Sequence, residues 1–182
     1  QQGGRRYYGA KIIPNRGAWL EFETDSKNVI WVKIDRKRKV AATALLRAFG
    51  IGSDEEIQKL FEDVDIHPLN HYLEATLAKD ASKNEEEGYI EVYKRIRPGD
   101  LATSDNAKSL IHSMFFNFDR YDLSPVGRYK FNKRFDLDTE HEHVSKEENR
   151  ILSKEDLIMI MREIIRLNVQ QEEPDDVDHL GN

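Results

Sequence analysis

The tightest constraint on this chain is a pair of strand-like runs, at 18–24 and 29–35, separated by the polar stretch Asp25-Ser26-Lys27-Asn28. In the first run Leu20, Phe22 and Thr24 alternate with Trp19, Glu21 and Glu23. Successive side chains of a strand point to opposite faces, so this pattern predicts an antiparallel hairpin over 18–35 with one buried face. Aromatic and β-branched residues at 7–13, closed by Pro14-Asn15-Arg16-Gly17, predict a further strand upstream. A sheet with one apolar face must be covered by other elements. The hairpin also brings Trp19 and the Asp35-Arg36 end to the same edge of the sheet.

The rest of the chain reads as helices that supply the cover. Positions 43–49 are apolar and end at Gly50. Ser53, followed by Asp54, Glu55 and Glu56, is an N-cap signature for a helix through Phe61. Helices are predicted at 67–77, 86–96 and 104–117, the last capped by Thr103 or Ser104. Ser124-Pro125 places proline at a first helical position, starting a helix to about Arg134. Ser153-Lys154-Glu155-Asp156 resembles a capping box before the strongest helical pattern in the chain. The fold class is therefore α+β, a small antiparallel sheet from the N-terminal third packed with a mainly helical remainder. We expect a single domain over 1–182: sheet and first helix at 12–50, helices at 51–134, a surface loop at 135–150, and a long helix and linker at 151–182. No repeats are visible.

Charge narrows the possible partners. The net charge of −6 opposes nucleic-acid binding if taken as an average, but it is segregated. Between Arg5 and Arg47 basic residues clearly outnumber acidic ones, and a second basic stretch holds Arg128, Lys130, Lys133 and Arg134. Acid gathers at 54–65, 85–87, 136–148 and 172–178. Charge runs are commonly just solvated faces. The absence of cysteine excludes disulfides and thiolate metal sites and suits a reducing, cytoplasmic setting. No apolar run is long enough to span a bilayer, so no membrane partner is expected. The first residue is not Met, and the chain reads as a piece of a larger protein.

Catalytic signatures are thin. His67 and His71 at i, i+4 and the His141-Glu142-His143 triplet lack further ligands at metal-site spacing, and no HExxH occurs. Asp175, Asp176 and Asp178 form a carboxylate cluster with no phosphate-binding loop beside it. The informative region is Trp19. An aromatic beside a turn, with Asp35-Arg36-Lys37-Arg38-Lys39 closing the paired strand, is the combination single-stranded nucleic acid requires: a π-face for a base and cations for its backbone. On pattern alone, a pair of core tryptophans at 19 and 31 is the commoner arrangement.

Ordered blocks of sequence then add what spacing cannot. IIPNRGAWLEF at 12–22, VKIDRKRK at 32–39, TALLRAFG at 43–50, RPGD at 97–100, Phe115-Phe116, RYDLSPVGRYK at 120–130 and DDVDHLGN at 175–182 occur in the order found in one family. The chain resembles the lobe domain of the β subunit of bacterial RNA polymerase. The resemblance implies a non-catalytic module lining the DNA cleft, inside an enzyme whose catalytic Mg²⁺ lies in the β′ subunit, so no cofactor is expected in this fragment. It implies a Trp19 that stacks on a non-template base near the start site, with Asp35 and Arg36 lining the same region. It places Val177 and Asp178 in a pocket for a flipped non-template guanine, whose Watson–Crick N–H groups a carboxylate can accept. It matches Arg97 and Arg128 to arginines contacting the non-template strand. The implied partners are promoter and downstream DNA, the non-template single strand, β′ and the rest of β, and a σ factor or regulator.

The chain departs from the family pattern at Ala41, where the family usually has proline, and in a short 62–87 interval. The family's basic block after DDVDHLGN lies past Asn182, leaving any guanine pocket incomplete. Two other classes stay in view: a protein-docking module that works through its acidic helices, and a metal-dependent phosphodiesterase built on Asp175, Asp176 and Asp178.

Overall fold

The computed structural model describes residues 6–172. Four short strands, β1 (Ala10–Ile12), β2 (Leu20–Thr24), β3 (Ile30–Ile34) and β4 (Val40–Ala41), form an antiparallel sheet in sequential order. The β2–β3 register pairs Leu20 with Ile34 and Thr24 with Ile30, as the alternation requires. Leu20, Phe22, Ile30, Val32 and Ile34 face inward and are buried. The outer face carries charge pairs, Lys11 with Glu21 at 3.6 Å and Lys33 with Glu23 at 3.5 Å.

Helices cover the inner face. Helix α1 (Ala42–Ala48) follows β4 directly and is buried along its whole length. It crosses α4 (Glu85–Ile96) at Gly88, where a Cβ would lie 2.6 Å from Arg47 Cβ and 2.9 Å from Ala44 O, so only glycine allows this approach. Helix α2 (Asp54–Phe61) begins with a capping box in which Ser53 and Glu56 satisfy each other's backbone N–H. Helices α3 (Tyr72–Lys79), α5 (Ser104–Phe115) and α6 (Ser124–Arg134) complete the middle of the chain. The 19-residue α8 (Lys154–Glu172) buries Leu157, Ile160, Met161, Ile164, Ile165 and Val169 along one stripe. Its Asn168, fully buried, donates to Thr24 Oγ1 at 3.0 Å and accepts from Tyr8 N at 3.2 Å, tying α8 to the sheet.

Two expectations change. Segment 135–150 is not an irregular loop: it holds α7 (His141–Ser145) and a 3-10 turn at Glu147–Asn149. Val144 is buried there, and the Arg128 guanidinium donates to Asn149 O, so contacts remote in sequence fix a stretch with no periodicity of its own. The helix expected from residue 67 begins at Tyr72. Asp65 accepts from the N–H groups of Tyr72 and Leu73 and caps it there, while His67 Nδ1 accepts from Leu69 and Asn70 and folds the preceding residues into a turn. No helix among the described residues is long and apolar enough to cross a membrane.

Candidate nucleic-acid interface

The Trp19 segment is built by contacts that span most of the chain. Gly17 takes a φ of +117°, and a Cβ there would meet Arg120 O and a Tyr121 ring carbon at 2.8 Å. Arg16 and Asp122 exchange backbone hydrogen bonds at 3.1 and 2.8 Å. The Arg16 guanidinium donates to Phe118 O at 2.6 Å and stacks over the Phe118 ring, which also lies under Arg150. Asp122 accepts a fork from Arg150 at 3.0 and 2.8 Å and the Ser124 N–H at 2.7 Å. Burial pushes the Asp122 carboxyl up, but the Arg150 fork and the Ser124 N–H outweigh it and hold the group below the usual carboxylate range. The RGAW and RYDLSP blocks therefore meet in space. Sequence reading missed this junction; opposite charges at Arg16, Asp122 and Arg150 were its only trace.

Beyond the junction, Trp19 pairs with the end of β3. Its N–H donates to Asp35 Oδ1 at 2.8 Å, and its carbonyl accepts the Asp35 N–H at 2.9 Å. Asp35 and Arg36 have φ values of 52° and 62°. Two consecutive left-handed residues form the tight turns that suit a hairpin, where asparagine and glycine are the usual occupants. For Arg36 this conformation costs about 1–2 kcal/mol. The turn closes with Lys37 N–H donating to Ile34 O at 3.0 Å. It sets the Arg36 guanidinium 4.8 Å from the Trp19 ring centroid. Trp19, Asp35 and Arg36 together line an open pocket of about 290 Å³.

The two tryptophans have different duties. Trp31 Nε1 donates to Asp25 Oδ2 at 2.8 Å and Lys39 lies over its ring at 4.6 Å, so this indole is pinned to the sheet's own turn. The Trp19 ring is only half-buried, and among the described residues its indole N–H has no hydrogen-bond partner. Neither tryptophan belongs to the buried core.

Of the basic residues counted in the sequence, the loop 36–39 is the part left facing solvent as a block. Arg36, Lys37, Arg38 and Lys39 are all exposed, and among the described residues none forms an ion pair. Arg47 is fully buried and bonded to Asp54, Asp80 and the Gly52 carbonyl, so it belongs to the interior. Arg97 is exposed at the end of α4, a helix whose Arg95 reaches the Lys39 carbonyl at 3.1 Å and so leans on the same loop.

Arg128 does not join this group. It is 5% exposed, and its guanidinium forks onto Asp156 at 2.8 and 2.7 Å while donating to Ile151 O at 3.0 Å. A guanidinium so enclosed is not offered to a phosphate, and the contact expected of it is corrected to a structural role. Val177 and Asp178 lie outside the described residues, as do Asp175 and Asp176. Among the described residues no three histidine or acidic side chains cluster as metal ligands would.

An antiparallel sheet backed by helices thus carries at one edge an indole, an arginine stacked on it, and a basic loop that forms no ion pair among the described residues. The family described as RNA polymerase Rpb2, domain 2, matches residues 1–182. The chain is 46% identical over 180 residues to the DNA-directed RNA polymerase subunit beta of Dehalococcoides mccartyi, and 43% identical over 202 residues to that of Chloroflexus aggregans, each alignment covering 98% of the chain. It is 54% identical over 136 residues, 75% of the chain, to the same subunit of Staphylococcus aureus. The chain spans 14%, 16% and 11% of these relatives' lengths. It belongs to the RNA polymerase Rpb2 domain 2 family and corresponds to a lobe segment of a bacterial-type β subunit.

Proposed function

We propose that this domain lines the DNA cleft of a DNA-directed RNA polymerase and holds the non-template strand by stacking one base on Trp19. The observation that carries the reading is the pocket formed by Trp19, Asp35 and Arg36, continued by Lys37, Arg38 and Lys39, which form no ion pair among the described residues. Arg36 lies over the half-buried indole, and the open pocket the two line with Asp35 is where a base would stack. Base stacking on an aromatic ring contributes ~1–3 kcal/mol with little dependence on sequence. The loop 36–39, and Arg97 at the end of the helix whose Arg95 bonds the Lys39 carbonyl, supply phosphate contacts that set register. Val177 and Asp178 are assigned to a guanine pocket on resemblance alone. The domain is non-catalytic; nucleotide addition and its Mg²⁺ belong to β′, and the domain works with β′, the rest of β, and σ or regulatory factors.

A docking role for the acidic helices is the weaker reading. Asp63 accepts a fork from Arg162 at 2.7 and 2.8 Å and Asp54 pairs with Arg47, so part of the acid at 54–65 is engaged within the domain.

The test is Trp19→Ala in the reassembled polymerase. Binding to promoter DNA should weaken by roughly 5- to 150-fold, the range of one stacked base, while RNA synthesis on a pre-opened scaffold stays near the parent level. Equal loss in both assays overturns the stacking role. The affinity should also fall steeply with salt, because each phosphate contact releases counterions.

A further inference from the structure

The resemblance counts Asp35 among the residues that line the DNA, but its geometry gives it another task. We propose that Asp35 is a positioning residue: it acts on the nucleic acid only through Trp19, by fixing the backbone that carries the indole.

Three observations support this. First, Oδ1 of Asp35 already accepts the Trp19 N–H at 2.8 Å, and the Asp35 N–H donates to the Trp19 carbonyl at 2.9 Å, a reciprocal pair on one residue. Second, both Asp35 and Arg36 are left-handed, at φ 52° and 62°. Aspartate and asparagine tolerate this conformation better than other side-chain-bearing residues, so the residue type answers a backbone demand. Third, among the described residues Asp35 pairs with none of the cations at 36–39, and its hydrogen bonds are both to the Trp19 backbone. Strained backbone kept in a site that the fold over-determines is the usual mark of preorganisation. Here it determines where the Trp19 ring stands relative to Arg36, 4.8 Å away.

The proposal rests on the stacking role of Trp19, and the experiment separates the two. Promoter DNA carrying 2-aminopurine at successive non-template positions around the start site is bound by polymerase containing the full-length β subunit, and quenching of the probe reads stacking on the indole. The parent should quench at one position, and Trp19→Ala should abolish it. Asp35→Asn retains an oxygen acceptor and left-handed tolerance, and should keep the quenched fraction within about two-fold of the parent. Asp35→Ala removes both and should lower it several-fold. If Asp35→Asn falls as far as Asp35→Ala while Trp19→Ala still abolishes quenching, the carboxylate's charge is what matters and the proposal is overturned with the stacking role intact. An Asp35→Ala variant that quenches like the parent also overturns it. If Trp19→Ala changes nothing, the stacking reading itself fails. Should Asp35→Ala not assemble, Asp35→Gly, left-handed without the acceptor, takes its place, with the same several-fold loss expected and parental quenching overturning the proposal.

Discussion

Replacing Arg128 with alanine tests whether an arginine that matches a DNA-contacting position in sequence serves the interior instead. The side chain bridges three segments: α6, the Asn149–Ile151 stretch and the start of α8. Arg128→Ala leaves Asp156, itself 5% exposed, without its fork, and frees two carbonyls. Removing one partner of a buried ion pair costs about 3–5 kcal/mol. The lower end applies here, because Asp156 also closes the α8 capping box: it accepts the Ser153 N–H at 3.1 Å and sits at the positive end of the helix. For a domain of this size each kcal/mol moves Tm by about 2–4 °C, so a loss near 3 kcal/mol lowers Tm by roughly 6–12 °C. Scanning calorimetry of the chain measures this. Arg128→Met combined with Asp156→Asn should recover part of the loss, since no bare charge is left buried. An Arg128→Ala protein that melts like its parent yet binds non-template DNA more weakly would refute the reasoning and return Arg128 to the interface.

Two further outcomes follow from the packing and the charges. Gly88→Ala gains about 1 kcal/mol of helix propensity but forces a methyl against Arg47 Cβ and Ala44 O on a fully buried helix. Overpacking of about 1–3 kcal/mol should win, lowering the urea midpoint at unchanged m-value. The lowered Asp122 carboxyl means the folded state binds its proton less readily than the unfolded chain. Its stabilisation is therefore complete above the ordinary carboxylate range and is lost as pH falls through the depressed folded value. Asp122→Asn should reduce stability at neutral pH and flatten the acid limb of urea midpoints measured down to pH ~2; an acid limb as steep as the parent's would exclude this junction as its source.

What could be read in advance, and what could not, divides along physical lines. The hairpin was legible because alternation at 18–24 encodes a face beside the apolar run at 29–35, and strand pairing fixes the edge where Trp19 meets Asp35. Ser53–Glu56 and Ser153–Asp156 were legible because capping is local chemistry. The burial of Arg47 and Arg128 was not legible, because it depends on distant partners, Asp80 and Asp156, that no window contains. The order in 135–150 was hidden for the same reason: Arg128, 21 positions upstream, donates to Asn149 O, and Arg150 forks onto Asp122, 28 positions away. The left-handed pair at 35–36 carries no glycine, so the strongest signal for such a turn was missing.

The junction of Arg16, Asp122 and Arg150 also bears on how the domain is made. The stem beneath Trp19 is clamped by side chains more than 100 positions downstream. Contacts of such sequence separation carry a large loop-closure cost and form late. As the chain leaves the ribosome, its hairpin can pair early, but the indole reaches its final bearing only after Arg150 has emerged. Maturation of the recognition edge is thus a report that the C-terminal helices have docked, and a nascent chain stalled before that point carries the tryptophan without its mount.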